Sequence, residues 1–135
     1  MLNTCAQNLA NLLQLKGLDF DTKIDNDGDS VVIFGYGGKR ILGIFSGEDG
    51  TYFSLGIFYE SIPEDKIPDV IFACNEINAT YKWVKYYVDH DGDLMIKSDA
   101  ILSTDDGGEE AFELLLRVIK ISEDAKPIIM KTIYA

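Results

Sequence analysis

Between Phe20 and Tyr59 the chain repeats one pattern: a short run of alternating apolar residues, then a turn rich in Asp and Gly. Asp27-Gly28 and Asp49-Gly50 are turn pairs, and Gly37-Gly38 can reverse the chain tightly. The segments 20–24, 30–36, 40–46 and 51–59 therefore read as strands. Connections this short join antiparallel neighbours, since parallel ones need a long crossover. In the third run Leu42 and Ile44 alternate with Ile41 and Phe45. In the fourth, Phe53, Leu55 and Ile57 share one face while Tyr52, Ser54 and Phe58 share the other. Both faces thus carry apolar material. One is expected to pack on helices, and part of the other to meet a second subunit or a ligand.

Helical periodicity brackets these strands. Residues 3–16 predict a helix capped by Asn3 or Thr4 and stopped at Gly17. Leu2, Ala6, Leu9 and Leu13 form its apolar stripe, widened by Leu12, and its opposite face is Asn/Gln-rich. A membrane-surface helix would carry cations there, so packing on a sheet is the better reading. A second helix is expected from Pro68 to Ala79 with Val70, Ile71, Cys74 and Ile77 inward. Near its end Asn75 and Asn78 are placed to cap or bridge backbone groups, with a polar ligand contact as the alternative. Segments 81–89 and 93–98 then read as a hairpin turning at Asp91-Gly92, with Val84, Tyr86 and Val88 inward and Trp83, Lys85 and Tyr87 outward. A later helix begins near Gly108 or Glu109 and buries Ala111, Leu114, Leu115 and Val118; its Glu109 and Glu110 suit the positive end of the helix dipole. Pro127 and β-branched neighbours leave two states open for the tail from Glu123 to Tyr134, a further helix or none. The expected class is α+β, an antiparallel sheet packed by helices in the order α-β-β-β-α-β-β-α, with an additional N-terminal strand and a C-terminal helix as options, in one domain spanning 1–135.

Composition narrows the chemistry. With 23 acidic and 12 basic residues the chain carries a net charge of −11, which repels nucleic acid and anionic membranes and admits a basic partner. Only Cys5 and Cys74 are present, in neither a metal-binding nor a redox spacing, so two reduced packing thiols are expected. The N-terminus lacks a basic start followed by an apolar run, and no segment approaches the ~20 apolar residues of a membrane span, so a cytoplasmic location is the default.

Each cluster that invites a catalytic or metal reading fails a test. His90, the sole histidine, lies between Asp89 and Asp91, but consecutive residues near a hairpin turn point in different directions and no nucleophile motif accompanies them. Asp25, Asp27 and Asp29 suggest calcium. Starting a loop at Asp25 puts Ser30 where a calcium loop needs glycine and Tyr36 where it needs glutamate; moving Gly28 into register puts Lys23 at the first ligand and Phe34 at the last. Gly35-Tyr36-Gly37-Gly38-Lys39-Arg40 lacks both the phosphate-loop and the dinucleotide spacing and reads as a turn. No catalytic, cofactor or metal set is assigned, and no specific small molecule is expected. Trp83 with Lys85 makes too small an aromatic-basic patch for nucleic acid on an acidic chain.

Asn75-Glu76-Ile77-Asn78, the segment Tyr81–Val88, Asp91-Gly92-Asp93-Leu94 and Gly107-Gly108, taken with the element order, resemble the YbjN-like family over about residues 5–122. That resemblance implies a fold similar to type III secretion chaperones, which dimerise and hold polypeptides, and a link to the regulation of sensory transduction. It brings no catalytic residues, and it implies that the Asn75/Asn78 pair supports the helix-to-strand transition.

The reading that follows is a non-enzymatic protein-interaction or regulatory module, chaperone-like and acting as a homodimer or on a protein partner. Tyr52, Phe58, Trp83, Lys85 and Tyr87 are the candidate contact residues, ringed by acidic residues that would select a basic partner. The alternatives are a small hydrolase using His90 and nearby carboxylates, and a structural homo-oligomer subunit.

Overall fold

The computed structural model describes residues 1–135. The chain runs α1 (Thr4–Leu15), β1 (Phe20–Ile24), β2 (Ser30–Tyr36), β3 (Lys39–Ser46), β4 (Tyr52–Ser61), α2 (Ile67–Thr80), β5 (Lys85–Val88), β6 (Asp93–Ile101) and α3 (Gly107–Tyr134), with one 3₁₀ turn, Glu64–Lys66, before α2. The six strands form one sheet in the order β1-β2-β3-β4-β6-β5, antiparallel at every pair. The fold is α+β as expected, and the optional N-terminal strand is present as β1. No helix is long and apolar enough to cross a membrane.

The first four strands are hairpins because their turns supply the φ values that tight reversals demand. Gly37 and Gly38 both have positive φ, 58° and 75°, which a two-residue turn matched to the twist of the strands requires. Strand register then sorts the side chains. Phe34, Ile41, Ile57, Ile96 and Tyr86 align across β2, β3, β4, β6 and β5 on one face, and all are buried. That face receives every helix: α1 packs on β2 and β3, α2 on β5 and α3 on β6, while α3 also contacts both α1 and α2.

Two features seat α1. Asn3 is its N-cap, accepting from the amide of Ala6 at 3.2 Å; its own amide donates to Ser30 Oγ and its Nδ2 to the Phe45 carbonyl, both at 2.9 Å. At the other contact, Gly107 and Gly108 open α3 against α1. A Cβ on Gly107 would stand 2.7 Å from Cys5 Sγ, and one on Gly108 would stand 2.7 Å from the backbone of Asn8. Ser103 and Glu110 brace this start, since both the amide and the hydroxyl of Ser103 donate to Glu110 Oε1, at 2.7 and 2.9 Å.

The helices differ from the sequence expectation at two places. On α2 the inward stripe is Val70, Ala73, Cys74 and Ile77, and Ile71 points to solvent beside Phe72. A 14-residue helix meeting the sheet edge and α3 buries one narrow face, and the small Ala73 fits it where Ile71 lies round the side. The tail is not a separate element. One helix of 28 residues continues through Pro127, with Ala125, Ile129 and Ile133 extending the buried stripe. Proline removes the amide that would bond the Glu123 carbonyl. Both residues lie on the exposed side of the helix, while packing on α2 holds it. Among the strands, β5 covers only Lys85–Val88 of the expected 81–89 run.

Both cysteines are free and buried. Burial pushes the Cys74 thiol up to about 11 and raises that of Cys5 as well. The native state therefore keeps the Cys74 proton that the unfolded chain releases near pH 9, and the corresponding stability is lost as pH rises through about 11. At pH 8 both thiols should resist iodoacetamide in the native chain and react only on unfolding, so the labelling rate should track the urea transition. The helix contact gives a second test. Gly108→Ala should cost about 1–3 kcal/mol in urea unfolding, because backbone cannot yield locally. Gly56→Ala, where the nearest atom to the new methyl is 3.9 Å away, should be neutral or stabilise by up to about 1 kcal/mol.

Candidate functional site

With all three helices on one side, the other face of the sheet has no element over it. Its side chains follow from the register. One row crosses Asp21, Ile33, Leu42, Gly56, Lys97 and Lys85. The neighbouring row brings Phe58, Met95 and Tyr87 into line on β4, β6 and β5. A third joins Lys23, Val31, Ile44, Ser54 and Asp99. At the far end Ser46, Tyr52 and Ile101 are paired. Val31 is buried among its strand neighbours yet lies outside the core cluster, so this face carries apolar surface of its own.

Tyr52, Phe58, Tyr87 and Lys85 all project from this open face, where Tyr52 is 61% and Phe58 46% exposed. Trp83 does not join them. It has φ 67°, the one non-glycine residue with positive φ, and stands 56% exposed before β5 begins. It borders a hollow with Leu116, Arg117 and Ile121 of α3, round the edge of the sheet. The chain leaves α2 and must turn sharply into β5, and that turn breaks the alternation that would have set Trp83 beside Tyr87.

The edge at β5 is closed by a side chain. Asn78 Oδ1 accepts from the amide of Tyr86 at 2.7 Å, and Asn78 Nδ2 donates to its carbonyl at 3.0 Å. In an antiparallel ladder the amide and carbonyl of one residue point the same way, so Asn78 serves Tyr86 as a neighbouring strand would. Asn75 is exposed on the same helix and makes no such bond. The bridging reading holds for Asn78 alone.

Both acidic clusters turn out to be one device used twice. In Asp25–Asp29, Asp25 Oδ1 accepts the amides of Asp27 and Asp29, each at 2.9 Å; in Asp89–Asp93, Asp89 Oδ1 accepts those of Asp91 and Asp93 at 2.9 and 3.0 Å. Gly28 and Gly92 take φ 83° and 80° at equivalent places. The repeated Asp-x-Asp-Gly-Asp spacing (residues 25–29 and 89–93) was the signal, and it encodes a hairpin turn held by its first aspartate. The carboxylates of each triplet lie within 4.8 Å of one another, but the first is already committed to the backbone. His90 rides on the second turn with its side chain 92% exposed, 3.8 Å from Asp91. A hydrolase would need a nucleophile within hydrogen-bond reach of it, and the turn projects the ring into solvent.

One further pair went unremarked in the sequence. Lys85 and Lys97 sit directly opposite each other on the open face of β5 and β6, and neither makes an ion pair. Like charges opposite one another weaken a sheet. The signal, a lysine on each side of the Asp91-Gly92 turn at matching distance, was readable once the turn fixed the register.

Comparison with known proteins adds to this geometry. A family model, YbjN, described as "Putative bacterial sensory transduction regulator", matches residues 6–125. No curated protein matches the chain in sequence. Among solved structures, the type III secretion chaperone SycH of Yersinia pestis, determined in complex with a stable fragment of YscM2, is similar at a TM-score of 0.52 and 10% identity, over 87% of this chain and 99% of that one. At that identity the likeness is one of fold.

The turn reading makes a contrast that stability measurements can check. Asp25→Ala should cost about 1–2 kcal/mol in urea unfolding, as two amides lose a charged acceptor. Asp27→Ala should stay within about 0.5 kcal/mol. Equal effects at both positions would contradict the assigned turn.

Proposed function

Because the chain belongs to the YbjN family, we propose that it is a non-enzymatic protein-interaction module of regulatory or chaperone-like character, and that it works through the open face of its sheet. The observation that carries this reading is the placement of Tyr52, Phe58 and Tyr87 on a strand surface that no helix covers. Aromatic side chains there hold large contact area at small entropic cost, which suits them as anchors for a partner. The fold neighbour supports the reading, since SycH was solved holding a fragment of another protein. A homodimer formed across the same surface is the second form of the proposal, and sedimentation at rising concentration separates the two.

Affinity capture with the full chain as bait tests the reading. The native chain should recover a protein partner reproducibly, and Phe58→Ser/Tyr87→Ser should lose it while melting at the same temperature within a few degrees. Recovery of the same partner by the double variant, or of none by the native chain in repeated trials, would overturn it.

A further inference from the structure

Toward β5 the open face carries a local pair of cations on an otherwise acidic chain. The chain as a whole stands at −11. Yet the outward strand positions toward β5 gather Lys85 and Lys97 beside Phe58, Met95 and Tyr87, with no carboxylate in either row between Leu42 and β5. Two carboxylates border the group on the same face of β6, Asp93 beyond Met95 and Asp99 beyond Lys97, and neither makes an ion pair with a lysine; Asp93 instead accepts from Ser61. Gly56 lies in the middle of this group. It is paired with Leu42 on one side and Lys97 on the other, and a Cβ placed there would meet nothing within 3.8 Å. Gly56 thus leaves a one-side-chain gap in its row, between Leu42 and Lys97 and alongside Phe58, next to two ammonium groups that make no ion pair.

Resting on the open-face reading, we infer that this gap binds an acidic polypeptide segment, with an apolar side chain over Gly56 against Phe58 and Leu42 and its flanking carboxylates on Lys85 and Lys97. Charge complementarity selects the occupant. A carboxylate between the two lysines removes the repulsion that folding alone leaves in place, whereas the basic partner expected from the overall charge would add to it. A second copy of this chain and a single-stranded nucleic acid are the competing occupants. The first would have to bring one of its own carboxylates to the lysines, and the second would meet the repulsion of the whole molecule.

The test uses the full, isotope-labelled chain and short peptides sharing one Leu-Trp core, flanked by Glu, by Ser or by Lys, with oligothymidine as a polyanion control. The Glu-flanked peptide should bind about tenfold or more tightly than the Lys-flanked one, and added salt should narrow that gap. Its amide shifts should centre on Gly56, Phe58, Lys85 and Lys97. Lys85→Glu/Lys97→Glu should reverse the preference. Lys85→Glu alone should weaken the Glu-flanked peptide and yet raise Tm by about 1–4 °C, as an opposite-charge pair replaces a like-charge one.

A Lys-flanked peptide binding as tightly at the same residues would overturn the acidic assignment and leave the open face as a protein-binding surface. Tighter oligothymidine binding there, or concentration-dependent self-association that protects those residues, would overturn it in favour of the other occupants. If no peptide shifts the open face while Phe58→Ser/Tyr87→Ser still abolishes capture, the inference fails and the broader reading stands. If capture also survives that double variant, both fall.

Discussion

The start of α3 lies against α1 at backbone contact distance, and the remaining architecture is arranged around that approach. Gly107 and Gly108 are buried at the junction, facing Cys5 in one case and the peptide of Asn8 in the other. Any side chain there would lever the two helices apart. A helix of 28 residues extends roughly 42 Å, enough to cross the sheet from α1 to α2. Fixing its first turn fixes its whole path. Ala111, Leu115 and Val118 then serve the core near α1, and Ala125, Ile129 and Ile133 serve it near α2. The apolar stripes of all three helices are consumed on one side of the sheet, and none remains to cover the other.

That one-sided arrangement explains what the sequence showed and what it concealed. The hairpins were legible because their causes are local. An aspartate that accepts two amides and a glycine at positive φ act within five residues, and alternation of period two needs no distant partner. The helix stripes on α1 and α3 were legible for the same reason, as was the role of Asn78 in bridging backbone. What escaped depended on contacts far along the chain. Pro127 argued for a break, but burial of Ala125 and Ile129 outweighs one missing hydrogen bond on an exposed side. Trp83 fitted the strand pattern of its neighbours, and only the geometry of leaving α2 for an edge strand places it against α3.

The contact residues divide along the same line. Parity alone assigns Tyr52, Phe58, Lys85 and Tyr87 to one face once the strands are known. It cannot say that β4 adjoins β6, with β5 hairpinned outside it, because that order is set by α2 carrying the chain past the sheet edge. The juxtaposition of Phe58, Met95 and Tyr87 therefore belongs to the fold, and so does the position of Gly56 beside Lys97. Net charge is likewise silent on placement. A total of −11 says nothing of its distribution, and the open face carries Lys23, Lys85 and Lys97 together with Asp21, Asp93 and Asp99.

Sheets obey local rules: glycine is kept out of strand interiors, like charges are not set opposite one another, and large aromatics on strands are buried. On the helix-bearing face these rules hold wherever packing decides; Gly43 sits there because Phe53 and Phe45 press to 3.2 and 3.4 Å of where its Cβ would be. On the open face all three are broken together, at Gly56, at Lys85 opposite Lys97, and at Phe58. No packing demand accounts for Gly56, since there is room for a methyl group. Nor does any ion pair account for the lysines. A single substitution would relieve each of them, so their concentration around two rows of one surface is costly to stability without a compensating contact inside the chain. Departures of that kind gather where a sequence answers to something besides its own folding.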